Sequence, residues 1–209
     1  MLSLHDYLAP TAPTPGAQVL IVEASTSPEV LRYVQALVKS GRYSRFVAVG
    51  TPIDPFSLMA SYGTGADLWA AHLLSMGVPR EAIEVVRMPG LPRHRTAHKA
   101  LAVRRHLGAR PALAVDLLSH TTHARRSFLI YERALRPTRV GVLSAPDAYD
   151  ADAWWNSSGG VRAVIGELLA LGYFYVGRDE VQQARENWAE LPQSSRQVAG
   201  PQLPEQPRE

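Results

Sequence analysis

Residues 18–50 read QVLIVEASTSPEVLRYVQALVKSGRYSRFVAVG, two apolar runs separated by an amphipathic one. Gln18-Val-Leu-Ile-Val-Glu23 is a short apolar run rich in β-branched residues, the pattern of a strand buried on both faces. Ser27-Pro28-Glu29 then opens a helix, with Ser27 as N-cap and Pro28 in the first helical position. Leu31, Val34, Leu37 and Val38 give that helix an apolar stripe, and Gly41 closes it. Arg45-Phe-Val-Ala-Val-Gly50 is a second buried strand. A strand, a helix and a strand joined by short connections form a parallel crossover unit.

The alternation continues downstream. Thr51-Pro-Ile-Asp-Pro-Phe56 is a loop, because two prolines exclude regular structure. A helix from Thr64 to Met76 ends at Gly77, and Ile83-Glu-Val-Val-Arg87 is a third strand. After the loop Met88–Pro92, a helix from Thr96 to Leu107 ends at Gly108. Ala112–Leu118 is a fourth strand. Thr121 or Thr122 caps the helix that runs to Leu135. Arg139–Leu143 is a fifth strand, Pro146–Asp152 a loop, and Ser158–Tyr175 the last helix. The expected fold is α/β: a Rossmann-like three-layer domain over residues 18–177, with a mainly parallel five-stranded sheet and right-handed crossovers. Residues 1–17, with Pro10, Pro13, Pro15 and Gly16, read as an irregular lead-in containing a short helical turn. Residues 178–209 read as a polar, disordered tail, with Asp179–Trp188 extending a helix.

The chain has 209 residues, 46% of them hydrophobic, enough for a full core without staples. It has no cysteine, which excludes disulfides, thiol catalysis and thiolate metal sites. No apolar run of membrane-span length stands out and residues 1–10 carry no basic leader, so the expectation is a cytoplasmic protein without a membrane span. The net charge is only +3, but it is built from 20 Arg and 2 Lys. Codon usage alone can produce that count, so position has to decide which Arg matter. From Val85 to Val115 there is no acid, against seven Lys/Arg. The basic stretch lacks interleaved aromatics, so no nucleic-acid partner is expected.

In a sheet of this kind, ligands bind beyond the carboxyl ends of the strands. The candidates are therefore Glu23 after the first strand, Arg93, Arg95 and Thr96 after the third, and His123, Arg125 and Arg126 after the fourth. Basic side chains at a helix start oppose the macrodipole, a layout that suits a bound anion. The imidazole of His123 suits proton transfer or an anion contact. His120 and His123 stand at i and i+3, but no third ligand accompanies them, so no metal is expected. There is no Gly-x-Gly-x-x-Gly, no phosphate-binding lysine loop and no Gly-x-Ser-x-Gly elbow. Trp154-Trp155 before Ser157-Ser158-Gly-Gly either anchors the last helix or puts Trp155 on a pocket wall. Arg162 and Glu167 follow on that helix.

His123-Ala-Arg-Arg-Ser127, Arg93-His-Arg-Thr96, Tyr149-Asp150 with Trp154-Trp155, and Ser158-Gly-Gly-Val-Arg162 with Glu167 together resemble the ElyC/SanA/YdcF family, over roughly residues 18 to 175. The resemblance implies a Rossmann-like domain linked to bacterial envelope biogenesis, with S-adenosylmethionine described as a ligand of some members. It maps onto Glu23, Arg95, Thr96, His123, Arg125, Arg126, Trp155, Arg162 and Glu167. The chain departs from the family in having Glu-Ala-Ser-Thr where many members have a glycine-rich end to the first strand. Two functions are expected from this. One is an enzyme acting on an anionic, phosphate-bearing envelope or glycan precursor: Arg93, Arg95, Thr96, Arg125, Arg126, Trp155 and Arg162 would bind, His123 would move the proton, and Glu23 or Glu167 would orient it. The other is a non-catalytic module for a nucleotide-like ligand such as S-adenosylmethionine.

Overall fold

A computed structural model of the chain describes residues 3–23, 25–177 and 179–190. Its centre is a five-stranded, all-parallel sheet. The strands are β1 (Val19–Val22), β2 (Arg45–Gly50), β3 (Ile83–Arg87), β4 (Ala114–His120) and β5 (Arg139–Ala145), in spatial order β3-β2-β1-β4-β5. The order reverses at β1, so a crevice opens between the carboxyl ends of β1 and β4.

The helices are α1 (Leu4–Leu8), α2 (Pro28–Lys39), α3 (Gly65–Ser75), α4 (Arg95–Ala109), α5 (Ala124–Leu135), α6 (Ser158–Val176) and α7 (Glu180–Glu190). All four residues of β1 are buried, as a strand covered on both faces requires. Leu20 and Val22 pack with Val30 and Val34 of α2 and with Trp69 and Leu73 of α3. Val19 and Ile21 face the other way, into a core shared with α4 and α5. Ser27 caps α2 as expected. Thr64 caps α3, accepting from the Asp67 N–H. The start of α5 differs from expectation: Thr121 and Thr122 belong to a 3-10 turn, Thr121–His123, and His123 takes the N-cap position without a side-chain cap. Thr121 Oγ1 is instead bonded to the Ala145 carbonyl at 2.7 Å, which ties the turn to β5.

Two segments flanking the sheet join the same core. Leu8 of α1 and Val181 and Ala184 of α7 are buried in it. The lead-in also runs along the free edge of β5, where Ala12 exchanges backbone hydrogen bonds with Val142. The expected tail from residue 191 onward lies outside the described residues. Helix α6 is long and apolar enough to cross a membrane by length and composition alone. Val164, Leu171 and Phe174 are buried on the domain, while Ile165, Leu169, Tyr173, Tyr175 and Val176 are exposed.

One glycine makes the architecture possible near the crevice. A Cβ on Gly50 would sit 2.2 Å from the Ala66 backbone nitrogen. Only glycine lets the end of β2 meet the first turn of α3 that closely.

Candidate functional site

A cavity of about 910 Å³, open to solvent, lies beyond the carboxyl end of β4. Its wall is assembled from four elements that are distant in sequence. The loop entering α4 supplies Arg93, His94, Arg95 and Thr96, the start of α5 supplies His123 and Arg126, α6 supplies Glu167, and α7 supplies Glu180.

His123 is the hub. Its Nδ1 lies 3.0 Å from Glu167 Oε1, and its Nε2 lies 3.3 Å from Thr96 Oγ1. Arg126, one helical turn on, donates from Nε to Glu167 Oε2 at 3.0 Å and from Nη2 to Oε1 at 3.2 Å. Burial alone would raise the Glu167 carboxyl. Hydrogen bonds and positive charge from His123 and Arg126 outweigh it and bring the pKa down to about 2. Glu167 is therefore an anion at neutral pH, and a carboxylate only accepts hydrogen bonds. A bare Nδ1 lone pair 3.0 Å from it would be repelled, so the proton sits on Nδ1. Arg126 Nη2, 3.1 Å from that same Nδ1, donates one hydrogen to Glu167 Oε1. In the neutral imidazole the Nε2 lone pair then faces the Thr96 hydroxyl.

The pKa of Glu167 has a consequence for stability. Its folded value, about 2, lies below its ordinary 4.5. The stabilisation is thus fully present above pH 4.5 and is lost as pH falls from there through 2. It amounts to about 3 kcal/mol by linkage. Urea titrations between pH 5 and pH 2 should show that loss, and Glu167→Gln should flatten this part of the profile. An unchanged acid limb in the variant would refute the assignment.

The loop entering α4 is shaped for contact with the cavity. His94 adopts a left-handed backbone, φ 51°, and is the only described residue other than glycine with positive φ. Such a conformation costs roughly 1–3 kcal/mol and tends to accompany functional sites. It leaves α4 without a side-chain N-cap. Arg93 and Arg95 are exposed on the cavity wall and form no ion pair among the described residues. Other bases of the acid-free stretch are occupied. Arg87 holds Asp67 at 2.6 Å, and Arg110 and His106 hold Glu84 at 2.7 and 2.6 Å.

The fold brings together Arg93, Arg95, Thr96, His123, Arg126 and Glu167, and it places the other four candidates elsewhere. Arg125 donates from Nε to the Tyr7 carbonyl and stacks over the Tyr7 ring, 4.0 Å from its centroid, so it fastens α1. Arg162 turns back onto the Ser158 carbonyl of its own helix. Trp155 is exposed and meets Trp154 edge to face, away from the cavity, while Trp154 packs against the core. Glu23 lies behind the wall. Ser119 Oγ and Ser127 Oγ donate to its Oε1 at 3.2 and 2.9 Å, and Tyr131 OH donates to Oε2 at 3.0 Å. Burial, then the charge and hydrogen bond of Glu23, keep the Tyr131 phenol protonated. Lys99, one turn beyond Thr96 on α4, reaches Glu23 at 3.8 Å. Glu23 thus joins β1, β4, α4 and α5 under the site, and it borders a smaller cavity of about 270 Å³ beside Gly50 and Thr51.

Glu180 and Gln183 complete the wall from beyond the domain boundary expected from sequence. The sequence signal for them was slight: Asp179 before Glu180 and a single apolar pair, Val181 and Ala184. No group of three or more His, Asp or Glu among the described residues is placed to hold a metal ion. The chain matches no protein-family model and no curated protein.

Proposed function

We propose that the chain is an enzyme acting on a small phosphate-bearing substrate, with Arg93, Arg95 and the first turn of α4 receiving the anion and His123 moving the proton. The observation that carries this reading is the placement of His123, oriented by ionised Glu167 and reaching Thr96, in an open cavity whose rim holds two arginines with no ion pair among the described residues. A base with an oriented second nitrogen is the arrangement that general acid–base catalysis needs. Free N–H groups at a helix start, flanked by guanidinium, suit a phosphate dianion. The resemblance to the ElyC/SanA/YdcF family makes an envelope or glycan precursor the natural substrate class. S-adenosylmethionine is a poorer match, since its sulfonium would enter beside Arg93, Arg95 and Arg126.

The test is a thermal-shift panel of orthovanadate, a sugar nucleotide, a polyprenyl phosphate and S-adenosylmethionine, run on the wild type and on an Arg93→Ala/Arg95→Ala variant. A phosphate-bearing compound at 100 times its Kd should stabilise the wild type by about 2.7 kcal/mol, a rise in Tm of about 5–10 °C. The double variant should lose most of that rise. Absence of a shift with every phosphate compound would overturn the reading. A shift confined to S-adenosylmethionine would favour a binding module instead.

A further inference from the structure

We infer that Thr96 is a nucleophile, and that the reaction passes through a phosphoryl group carried on its Oγ1. The inference rests on the proposed phosphate chemistry and goes beyond it by naming the attacking atom.

Three features single out this hydroxyl. First, its use: the Thr64 hydroxyl is engaged in capping α3, donating to Asp67 Oδ2 at 2.5 Å and accepting from the Asp67 N–H at 3.2 Å. Thr96 is the second residue of α4, inside the helix and not at its cap, and its one side-chain hydrogen bond among the described residues runs to His123 Nε2. Second, its setting: Thr96, His123 and Glu167 form a hydroxyl–imidazole–carboxylate relay with successive contacts of 3.3 and 3.0 Å. This is the arrangement that activates a weak hydroxyl nucleophile, and the first contact is loose, as is common without substrate. Third, its mounting: the left-handed residue His94 turns the chain sharply just before α4, so the hydroxyl enters the cavity beside Arg95 and the free N–H groups of the first turn. Those donors lie where charge builds on the phosphoryl oxygens.

Thr96 Oγ1 attacks the phosphorus of a phosphomonoester while His123 Nε2 takes the hydroxyl proton. A P–O bond forms to Thr96 and the P–O bond to the leaving alcohol breaks. The imidazolium, its Nδ1–H held by Glu167, returns the proton to the departing alkoxide. In the second half, water attacks the phosphorus and gives its proton to Nε2. The P–O bond to Thr96 breaks, inorganic phosphate leaves, and Thr96 recovers its proton from His123. Arg126 keeps Glu167 ionised and in place throughout, as a positioning residue.

The experiment uses p-nitrophenyl phosphate and diisopropyl fluorophosphate as probes, followed by acid quench, intact mass and peptide mapping. The second probe forms a P–O bond to an activated hydroxyl with loss of fluoride, and it needs no substrate recognition. Wild type should acquire one phosphoryl group from the first probe or one diisopropylphosphoryl group from the second, mapped to Thr96. Thr96→Ala should lose the adduct and lower turnover by at least ~100-fold, while orthovanadate still stabilises it. Thr96→Ser should keep the adduct, and His123→Asn should slow labelling by a similar factor. Turnover in Thr96→Ala within about twofold of wild type would overturn the inference and assign the attack to water, leaving the phosphate chemistry standing. No adduct at Thr96 from either probe also overturns it. No anion-induced shift in any variant would remove the underlying reading as well.

Discussion

Replacing His123 with Asn is expected to lower kcat for p-nitrophenyl phosphate by about 10²–10⁴-fold, the range that general acid–base catalysis contributes. The choice of Asn matters. Its amide can still donate to Glu167, so the ionised carboxylate and Arg126 keep a partner. What is lost is the Nε2 lone pair, 3.3 Å from Thr96 Oγ1. The variant should therefore melt within a few degrees of wild type and should still respond to orthovanadate, because Arg93 and Arg95 are untouched. Steady-state kinetics and thermal shift on the same preparation separate the two effects. A variant with undiminished kcat would remove His123 from the chemistry. A variant that had also lost the vanadate response would make His123 part of anion binding.

The second large effect is expected far from the cavity, at the amino-terminal end of the sheet. Asp116 of β4 is fully buried, and its carboxylate holds three groups. It accepts from the Thr14 N–H at 2.7 Å, from Tyr43 OH at 2.7 Å and from Arg42 Nη2 at 3.1 Å. Burial, then the hydrogen bond and charge of Asp116, hold the Tyr43 phenol well above its ordinary range, so it stays a donor. Gly141, its neighbour across the β4–β5 ladder, makes room: a Cβ there would fall 2.2 Å from Asp116 Oδ1 and 2.4 Å from the Thr14 nitrogen. Asp116→Ala strands a buried hydroxyl, a backbone N–H and a guanidinium at once. Removing one member of a buried charged cluster typically costs about 3–5 kcal/mol. In a chain of this size that lowers Tm by roughly 6–20 °C. Asp116→Asn keeps one acceptor oxygen, enough for the Thr14 N–H, and places an N–H donor at the position facing Tyr43 and Arg42, so it should cost less than Ala but not restore the wild type. A loss below about 1 kcal/mol in urea unfolding would show that the lead-in is not tied down through this carboxylate.

Both residues were visible in the sequence, but for different reasons and to different depths. Asp116 stands out as the lone acid inside an apolar strand, yet nothing local says that Thr14, Arg42 and Tyr43 converge on it. The strands themselves were legible because burial on both faces leaves an uninterrupted apolar run. The helices were legible because Ser27, Thr64, Gly41 and Gly77 mark their ends by local chemistry. The acid-free stretch from Val85 to Val115 pointed to Arg93 and Arg95, and these are the arginines on the cavity wall that have no acidic partner among the described residues. Arg125 and Arg126 show where such reading stops. Adjacent residues on a helix point about 100° apart. One reaches Glu167, the other Tyr7, and the motif His123-Ala-Arg-Arg does not distinguish them.

Local sequence pattern sets the parallel α/β architecture, the end of the sheet where polar groups gather, and the identity of the imidazole and hydroxyl that meet there. Those properties follow from period, capping and strand-end chemistry, all of which act over a few residues. Long-range packing puts Glu167 against His123 and leaves Glu23 behind the wall. It alone brought Glu180 and Gln183 to the cavity and sent Arg125, Trp155 and Arg162 elsewhere. These outcomes depend on how α1, α6 and α7 pack against α4 and α5, and that packing is set by contacts between residues tens of positions apart, which no local pattern encodes.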